Sequence, residues 1–553
     1  MTFKKTANRN YSMSTRAVYL WAFLLWVAFA AVDVWWILYD RQPQGCDQAG
    51  HLIRAAAFAH SLHPFSLNDL LKSWNTEVGQ GGEYTYPPLY HLVTGVFIWV
   101  LGRPPIAAVA TNEIALWFLL VSVIQLGRRA FTLSVGVGSA VLVALYATLA
   151  QFRHEAFVDF ALVGITSWSA WQLVKTEAFS RRRASIGVGI SIGLALLVKQ
   201  AVVIFLAPPA LYVLFQHRGD QIRNRWVNVL CAAGSGLLVA STWYGLHWRA
   251  VMANLALNQR VAPIEGDPMP WTLIGAIYYP WVMSCIQIGF PLFVVAIASA
   301  MVWLFRKRQQ TATTNEKRLC RGVIVTWIVG SLPVLTFLLL NKDMRYSLPV
   351  LPAVALLTCS LLTWISRRPI RIAGWLLLML SAFPYYTFVM FAWPPIRQEI
   401  GFYTGQTHWL VWSDNNYFGM GPKKEDWHIP EMLTRMRLES PQSTLLKPIH
   451  IAILPFLLRF NPNSVTLEAI ERGIPAQVTA IGNDTPALTP EDLRPFDFLL
   501  VKTGDLGLPF ATERAQEIQN LVSLHPDNFV PLATYALPDH STGTLLRVVR
   551  EKE

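Results

Sequence analysis

Charged residues and cysteines are both scarce in this sequence. Asp, Glu, Lys and Arg make up 14% of the 553 residues, whereas 53% are hydrophobic. Soluble domains carry about 25% charged residues, so this composition excludes a soluble globular protein, a disordered chain and a coiled coil. The cysteines lie far apart, mostly in apolar stretches, and form neither a disulfide framework nor a CxxC metal motif: Cys46, Cys231, Cys285, Cys320 and Cys359.

Several enzyme motifs are also missing. The sequence contains no GxGxxG dinucleotide motif and no GxxxxGK[ST] phosphate loop, which argues against a cytoplasmic energy-coupling domain. No HExxH zinc motif is present, and the region after residue 395 lacks a GxSxG nucleophile motif.

Long apolar stretches dominate residues 1–395. Because a transmembrane helix needs about 20 apolar residues, these stretches predict an all-α polytopic membrane region with about eleven spans. They lie at about 17–39, 106–127, 133–152, 160–175, 185–198, 201–216, 226–246, 278–305, 322–340, 347–365 and 372–392.

The net charge of +12 is unevenly distributed along the chain. Residues 1–399 carry a net charge of +17 and residues 400–553 a net charge of −5. Of the 33 Lys and Arg residues before residue 400, 22 lie in alternate loops between spans, which are cytoplasmic by the positive-inside rule. The sequence therefore predicts a cytoplasmic N-terminus and, with an odd number of spans, an external C-terminal region. This distribution indicates that the basic residues set the orientation of the chain in the membrane, and it argues against nucleic-acid binding.

Two regions are predicted to lie outside the membrane. The loop over residues 40–105 contains an amphipathic stretch, Ala49–Ser61, and an apolar stretch, Pro88–Leu101, which is too short to span comfortably. Both are predicted to be interfacial helices. In residues 396–553, short apolar runs alternate with helical stretches and turn residues, which predicts a small extracytoplasmic α/β domain.

Asp47 is a candidate catalytic base. It follows the first span, in Gly45-Cys46-Asp47-Gln48-Ala49-Gly50-His51. Asp47 and His51 are four residues apart, so a helix would place them on one face. A carboxylate at the membrane surface can accept a proton from an acceptor hydroxyl. The alternative is that Asp47 only caps the helix.

The second external turn carries ionisable residues between two apolar spans. Glu155 and Asp159 are four residues apart and His154 is adjacent, a set that suits a divalent cation. Ionisable groups at the mouth of a span are costly and usually functional. The alternative is a surface ion pair between Arg153 and Glu155.

Basic residues at predicted external span boundaries are candidates for binding a lipid phosphate. Lys199 lies between two apolar runs, where the positive-inside rule gives it no topological role. Lys342 and Arg345 form a second basic pair. The alternatives are snorkelling of Lys199 to the interface and neutralisation of the pair by Asp343.

A proline pair marks the start of the second interfacial stretch. In Tyr86-Pro87-Pro88-Leu89-Tyr90-His91, the prolines fix an extended entry, and Tyr90 and His91 offer polar groups there. Alone, this segment predicts only a helix start.

The order of these features resembles the glycosyltransferase-C superfamily, specifically the bacterial relatives of protein O-mannosyltransferases and the lipid A aminoarabinose transferase. It comprises an acidic residue after span one, Pro-Pro-Leu-Tyr, an acidic residue in the second external turn, a lysine after Gly-Leu-Ala-Leu-Leu, and Arg-Tyr-Ser-Leu-Pro-Val-Leu-Pro-Ala at 345–353. The resemblance covers about residues 15–395. Two positions depart from it: many relatives have Asp-Glu at Asp47-Gln48 and a charged residue at Tyr86.

The resemblance implies roles for individual residues. Asp47 matches the catalytic aspartate, Asp159 the second acidic residue, and Lys199 the lysine near the lipid phosphate. Pro87, Pro88 and Tyr90 match the proline segment, and Arg345 and Tyr346 match the late Arg-Tyr pair.

The resemblance also implies an enzyme of the bacterial inner membrane with an external active site. It would transfer a sugar from a polyprenyl-phosphate donor to a lipid, glycan or protein, with inversion, without a nucleotide cofactor, and with a divalent cation on Asp159. A secondary transporter and a non-catalytic lipid-binding or assembly protein are the alternatives.

Overall fold

The computed structural model describes residues 2–76, 86–216, 222–306, 314–396, 398–405, 407–413, 421–481, 489–507, 512 and 514–549. The chain divides into two compact units. The first comprises Met1–Trp36, Trp74–Tyr90 and Val109–Gly421, and the second comprises Ile37–Ser73, His91–Ala108 and Pro422–Glu553. The sequence predicts a linear boundary at residue 395, whereas the second unit combines parts of the 40–105 loop with the C-terminal region.

Helices account for most of the described residues. They are α1 (Thr2–Tyr39), α2 (Cys46–Leu62), α3 (Leu67–Asn75), α4 (Leu89–Leu101), α5 (Pro104–Ala130), α6 (Leu133–Leu145), α7 (Ala147–Phe152), α8 (Val158–Lys175), α9 (Arg182–Val198), α10 (Val202–Phe215), α11 (Ile222–Val261), α12 (Leu273–Val282), α13 (Phe290–Arg306), α14 (Asn315–Phe337), α15 (Leu351–Ser360), α16 (Arg368–Phe391), α17 (Ile429–Glu439), α18 (Pro462–Glu471), α19 (Pro490–Leu493) and α20 (Ala515–Leu524).

Many of these helices have the composition of membrane spans. Within the described ranges, six helical segments are long and apolar enough to cross a bilayer: Thr15–Tyr39, Pro104–Ala130, Arg223–Val261, Asn315–Phe337, Met344–Trp364 and Arg368–Phe391. Four shorter apolar helices accompany them. The polytopic helical class is confirmed, and the number of about eleven spans stays a prediction.

The C-terminal region folds around a five-stranded mixed sheet, which confirms the predicted small α/β domain. Two strands earlier in the chain, β1 (Ile400–Thr404) and β2 (Thr407–Trp412), form a hairpin in the first unit that the sequence analysis did not predict. The sheet of the second unit contains β3 (Ile449–Ile453), β4 (Ala476–Ala480), β5 (Phe498–Lys502), β6 (Phe529–Ala536) and β7 (Thr542–Val548), in the order β4-β3-β5-β7-β6.

The sheet is covered on both faces because side chains alternate along each strand. Ile451 and Ile453 belong to one buried cluster, whereas Ala452 between them belongs to another. Strand β5 repeats the pattern, with Leu500 in the first cluster and Leu499 in the second. Strand β3 is parallel to both β4 and β5, and the chain passes through α18 between β3 and β4, as a connection between parallel strands requires.

The two predicted interfacial stretches are both helical, as α2 and α4. They pack closely in the second unit, where a Cβ added at Gly95 would lie 2.6 Å from the Cβ of Phe58 and 2.7 Å from the carbonyl oxygen of Ala55. Only glycine permits this approach, so it fixes how the two helices face each other.

Candidate active site

Asp159 and Lys199 form a buried ion pair in the first unit. The Nζ of Lys199 donates a hydrogen bond of 2.7 Å to Oδ1 of Asp159, and their side chains are 10% and 4% exposed. Asp159 lies in the first turn of α8, and Lys199 is the C-cap residue of α9. Each charge therefore lies at the helix end that favours it, and the packing of α8 against α9 brings these residues, 40 positions apart, together.

Two aromatic rings lie near the ammonium group of Lys199. The Nζ of Lys199 lies 5.4 Å from the ring centroid of Tyr346 and 6.0 Å from that of Tyr86. Both distances are within the range of a cation–π interaction. The structure thus brings Lys199 together with Asp159 and Tyr346, while their roles in binding substrate stay a prediction.

Arg345 is held beside the same group of residues. Its Nη2 lies 2.6 Å from Oδ2 of Asp343, and its guanidinium lies 4.9 Å from the ring of Phe157, the residue preceding α8. Asp343 does neutralise this arginine, as the alternative interpretation required. The guanidinium is nevertheless fixed near the start of α8, against Phe157, which precedes Asp159 by two residues.

Lys342 has a different role from the predicted one. Its Nζ donates hydrogen bonds to the carbonyl oxygens of Leu335, Thr336 and Leu339, at 3.2, 2.8 and 3.0 Å. These bonds satisfy carbonyl groups at the C-terminal end of α14. Because all three protons of the ammonium are used, we assign Lys342 to the helix end and not to phosphate binding.

The second predicted external turn is anchored to α1 by a buried ionic cluster. Arg153 donates hydrogen bonds to both carboxylate oxygens of Asp33, at 2.7 and 3.1 Å. The Nε2 of His154 lies 2.7 Å from Oδ1 of Asp33, and Trp36 stacks on the His154 ring at 4.5 Å. The amide of Asn112 also donates to three carbonyl groups of this turn. The turn that precedes Asp159 is therefore rigidly held.

This arrangement does not fit a cation bound by His154, Glu155 and Asp159. His154 interacts with Asp33, and Asp159 interacts with Lys199, so two of the three ligands are already engaged. Among the described residues, a His and carboxylate group with metal-ligand spacing occurs only at Asp426, His428 and Glu431, on the second unit. The cation site therefore stays a prediction, and we assign no step of the reaction to a metal.

In the second unit, Asp47 is an exposed carboxylate in the first turn of α2. His51 and Arg54 follow at four and seven residues, on the same helical face, and both are buried. The structure thus confirms the helix that the Asp47 and His51 spacing requires, and it places Asp47 where negative charge is favoured. Arg54 lies on the same face of α2 as Asp47. Its spacing of seven residues from Asp47 could have indicated this from the sequence.

His51 pairs with His91 across the α2–α4 contact. The Nδ1 of His51 and the Nε2 of His91 lie 2.9 Å apart, and both side chains are buried. The close packing at Gly95 lies one turn beyond His91 on α4. Tyr90 instead belongs to the first unit and lies in its hydrophobic core, which does not favour the predicted substrate contact.

Sequence analysis did not predict the buried cluster around Asp33. The available signal was a pair of opposite charges, an acid within the first span and Arg153 beside an apolar span. Such groups are stable in a membrane only when they are paired.

The helical membrane region has the features of a glycosyltransferase-C fold. A family model, described as dolichyl-phosphate-mannose-protein mannosyltransferase, matches residues 85–245. No curated protein sequence matches the chain.

Solved structures extend the likeness to nearly the whole chain. ArnT from Cupriavidus metallidurans, bound to undecaprenyl phosphate, shares 13% identity with a TM-score of 0.55, over 95% of this chain and 98% of ArnT. ArnT in the apo state gives a TM-score of 0.52 at 13% identity, over 95% and 97% of the two chains. An Archaeoglobus fulgidus oligosaccharyltransferase in complex with Zn and sulfate gives a TM-score of 0.50 at 13% identity, over 94% of this chain and 72% of the oligosaccharyltransferase chain. These matches confirm the glycosyltransferase-C fold, and the family-model match adds a sequence similarity to mannosyltransferases over residues 85–245.

Proposed function

We propose that this protein is an integral membrane glycosyltransferase. It transfers a sugar from a polyprenyl-phosphate donor to a hydroxyl group of a lipid, glycan or protein at the outer face of a bacterial inner membrane. The observation that carries the proposal is the buried Lys199–Asp159 pair within a fold that matches ArnT along 95% of the chain. A buried, aromatic-lined ammonium suits the phosphate of a lipid donor.

The reaction needs one base and a stabilised leaving group. Asp47 accepts the proton of the acceptor hydroxyl as its oxygen attacks the anomeric carbon. The bond between that carbon and the phosphate oxygen breaks, and the polyprenyl phosphate leaves as an anion. Attack opposite the leaving group inverts the configuration.

Lys199 and Arg345 stabilise the departing phosphate, and Asp159 keeps the Lys199 ammonium in place. Charge that is fixed before the reaction reorganises little during it, which makes this the largest catalytic contribution. Because phosphate is a stable anion, no strong general acid is required.

The first experiment is mass spectrometry of glycans and lipids from cells with and without the protein, since it identifies donor and acceptor together. Transfer is then measured in membranes that contain the Asp47→Asn variant. We expect the rate to fall by about 10²–10⁴, the usual contribution of a general base.

The matched control is Asp69→Asn, which changes an exposed acid in the first turn of α3 and should leave the rate unchanged. Normal turnover by Asp47→Asn would exclude Asp47 as the base. A wild-type protein that binds the donor lipid but transfers no sugar would favour the non-catalytic alternative.

A further inference from the structure

The first turn of α2 is attached to the C-terminal part of the second unit by side-chain hydrogen bonds. The Nη1 of Arg459 donates to the carbonyl oxygen of Pro43 at 2.9 Å and to Oε1 of Gln48 at 3.2 Å. The same Oε1 accepts a 2.8 Å bond from the backbone N–H of Gly45. Gln48 therefore caps its own helix while it binds Arg459.

A second contact lies on the other side of Asp47. The side-chain amide of Asn463 donates to the carbonyl oxygen of Cys46 at 3.1 Å, and it lies 3.5 Å from the Cys46 Sγ. Asn463 is itself fixed in the first turn of α18, where Asn461 accepts hydrogen bonds from the N–H groups of Asn463 and Ser464. The contact is therefore built from a capped, ordered helix end.

The chain leading into α2 is held in the same way. The backbone N–H of Lys423 donates to Oδ1 of Asp40 at 2.9 Å, and the N–H of Arg41 donates to the carbonyl oxygen of Lys423 at 2.8 Å. The segment from Asp40 to Gln48 is thus bound at both ends by residues more than 370 positions later in the sequence.

We propose that Arg459 and Asn463 are positioning residues that set the orientation of Asp47. They bind its two sequence neighbours, Gln48 and Cys46, and leave its own carboxylate exposed. The first turn of a helix lacks internal partners for its N–H groups and frays readily, so an exposed base there needs an external support. This inference rests on the proposed function, because it gives the C-terminal α/β domain a part in catalysis.

The kinetic test compares Arg459→Ala and Asn463→Ala with wild type in the full-length protein. A misplaced base lowers the rate of the chemical step without weakening donor binding. We therefore expect kcat to fall at least about tenfold, with an unchanged KM for the polyprenyl-phosphate donor. Arg459→Lys retains a hydrogen-bond donor for the carbonyl oxygen of Pro43 and for Oε1 of Gln48, so it should recover most of the rate.

The matched control is Arg472→Ala, because Arg472 follows α18 and forms an exposed ion pair with Glu468. Its kcat should equal that of wild type. A similar loss of kcat in Arg472→Ala would point to general damage to the domain and would overturn the proposal.

Cys46 provides a readout that does not depend on activity. Burial raises the pKa of the Cys46 thiol to about 12, so it reacts slowly with maleimides. In a Cys231→Ser background, we expect Arg459→Ala and Asn463→Ala to increase the labelling rate at Cys46 at least about tenfold, and Arg472→Ala to leave it unchanged.

The two readouts must change together. Faster labelling with unchanged kcat, lower kcat with unchanged labelling, or no change in either would each overturn the proposal. Failure of the proposed function is distinguishable, because wild type would then show no sugar transfer while the labelling comparison still reports the contact.

Discussion

At the scale of single residues, the Lys199–Asp159 pair predicts a stability effect that is separate from catalysis. Asp159→Asn leaves the Lys199 ammonium buried without its anionic partner, and removing one partner of a buried ion pair typically costs about 3–5 kcal/mol. We expect this variant to have a clearly lower Tm than wild type in detergent, measured by thermal unfolding of the purified protein.

The double variant Asp159→Leu/Lys199→Met separates stability from function. It removes both charges, so we expect its Tm to exceed that of Asp159→Asn although it cannot bind phosphate. As a control, Glu468→Ala breaks the exposed pair with Arg472 and should change stability by less than about 1 kcal/mol. A double variant less stable than Asp159→Asn would contradict this account.

Asp40 predicts a pH dependence in the second unit. Burial raises the pKa of its carboxyl group from 3.8 to about 6, so the folded protein favours the protonated form. The resulting stabilisation is complete below about pH 4 and is lost as the pH rises through 6. We expect Asp40→Asn to reduce the fall in Tm between pH 5 and pH 7.5, measured against wild type in the same buffers. An identical pH profile for the two proteins would exclude Asp40 as the source.

The residues of the site were predictable to different degrees. Asp159 and Lys199 were predicted as site residues because a charge beside an apolar span is conspicuous in a single sequence. Their partners were not all identified, because pairing is a property of helix packing. His154 has the spacing of a metal ligand with Asp159, yet its imidazole interacts with Asp33, 121 residues earlier.

At the scale of elements, the contact between α9 and α11 depends on glycine. A Cβ added at Gly189 would lie 2.1 Å from the carbonyl oxygen of Ala232, whereas a Cβ at Gly187 on the same helix meets nothing within 4 Å. Small residues allow such close helix packing in membranes. We expect Gly189→Ala to lower stability by about 1–3 kcal/mol through overpacking.

Gly187→Ala is the matched control, since it adds the same methyl group to α9 where space is open. Alanine has the higher helix propensity, so we expect equal or slightly greater stability than wild type. Thermal unfolding of the two variants side by side tests the packing, and equal Tm values would show that the α9–α11 contact adjusts without cost.

Elements with a regular pattern were predictable, and those defined by their packing were not. The amphipathic stretch Ala49–Ser61 lies in α2 because it repeats apolar residues at the helical period, whereas the short continuous apolar run Phe496–Val501 overlaps β5 and is typical of a strand buried on both faces. The hairpin of β1 and β2 was missed because its stability depends on the membrane region, where Trp281 donates a 2.7 Å hydrogen bond to the carbonyl oxygen of His408.

At the scale of the whole molecule, the sequence predicts two linear domains, whereas the second unit gathers residues from three separate parts of the chain. Although the first unit continues to Gly421, composition separates apolar from polar stretches and therefore predicts a boundary near residue 395. It does not detect that the loop bearing Asp47 belongs with the α/β domain, because that association consists of a few specific hydrogen bonds, such as those of Arg459.

The orientation of the chain gives a prediction for the whole molecule. The basic loops predict a cytoplasmic N-terminus and an external C-terminal domain. Alkaline phosphatase folds through disulfide bonds and is active only outside the bacterial cytoplasm. We therefore expect activity when it is fused after residue 553 and none when it is fused after Arg183, in a predicted cytoplasmic loop. Green fluorescent protein at the same two positions should give the reverse pattern. Phosphatase activity at Arg183 together with fluorescence at residue 553 would place Asp47 on the cytoplasmic side. Asp47 would then lie on the opposite side of the membrane from the outer face at which the proposed transfer takes place, and the proposal would be contradicted.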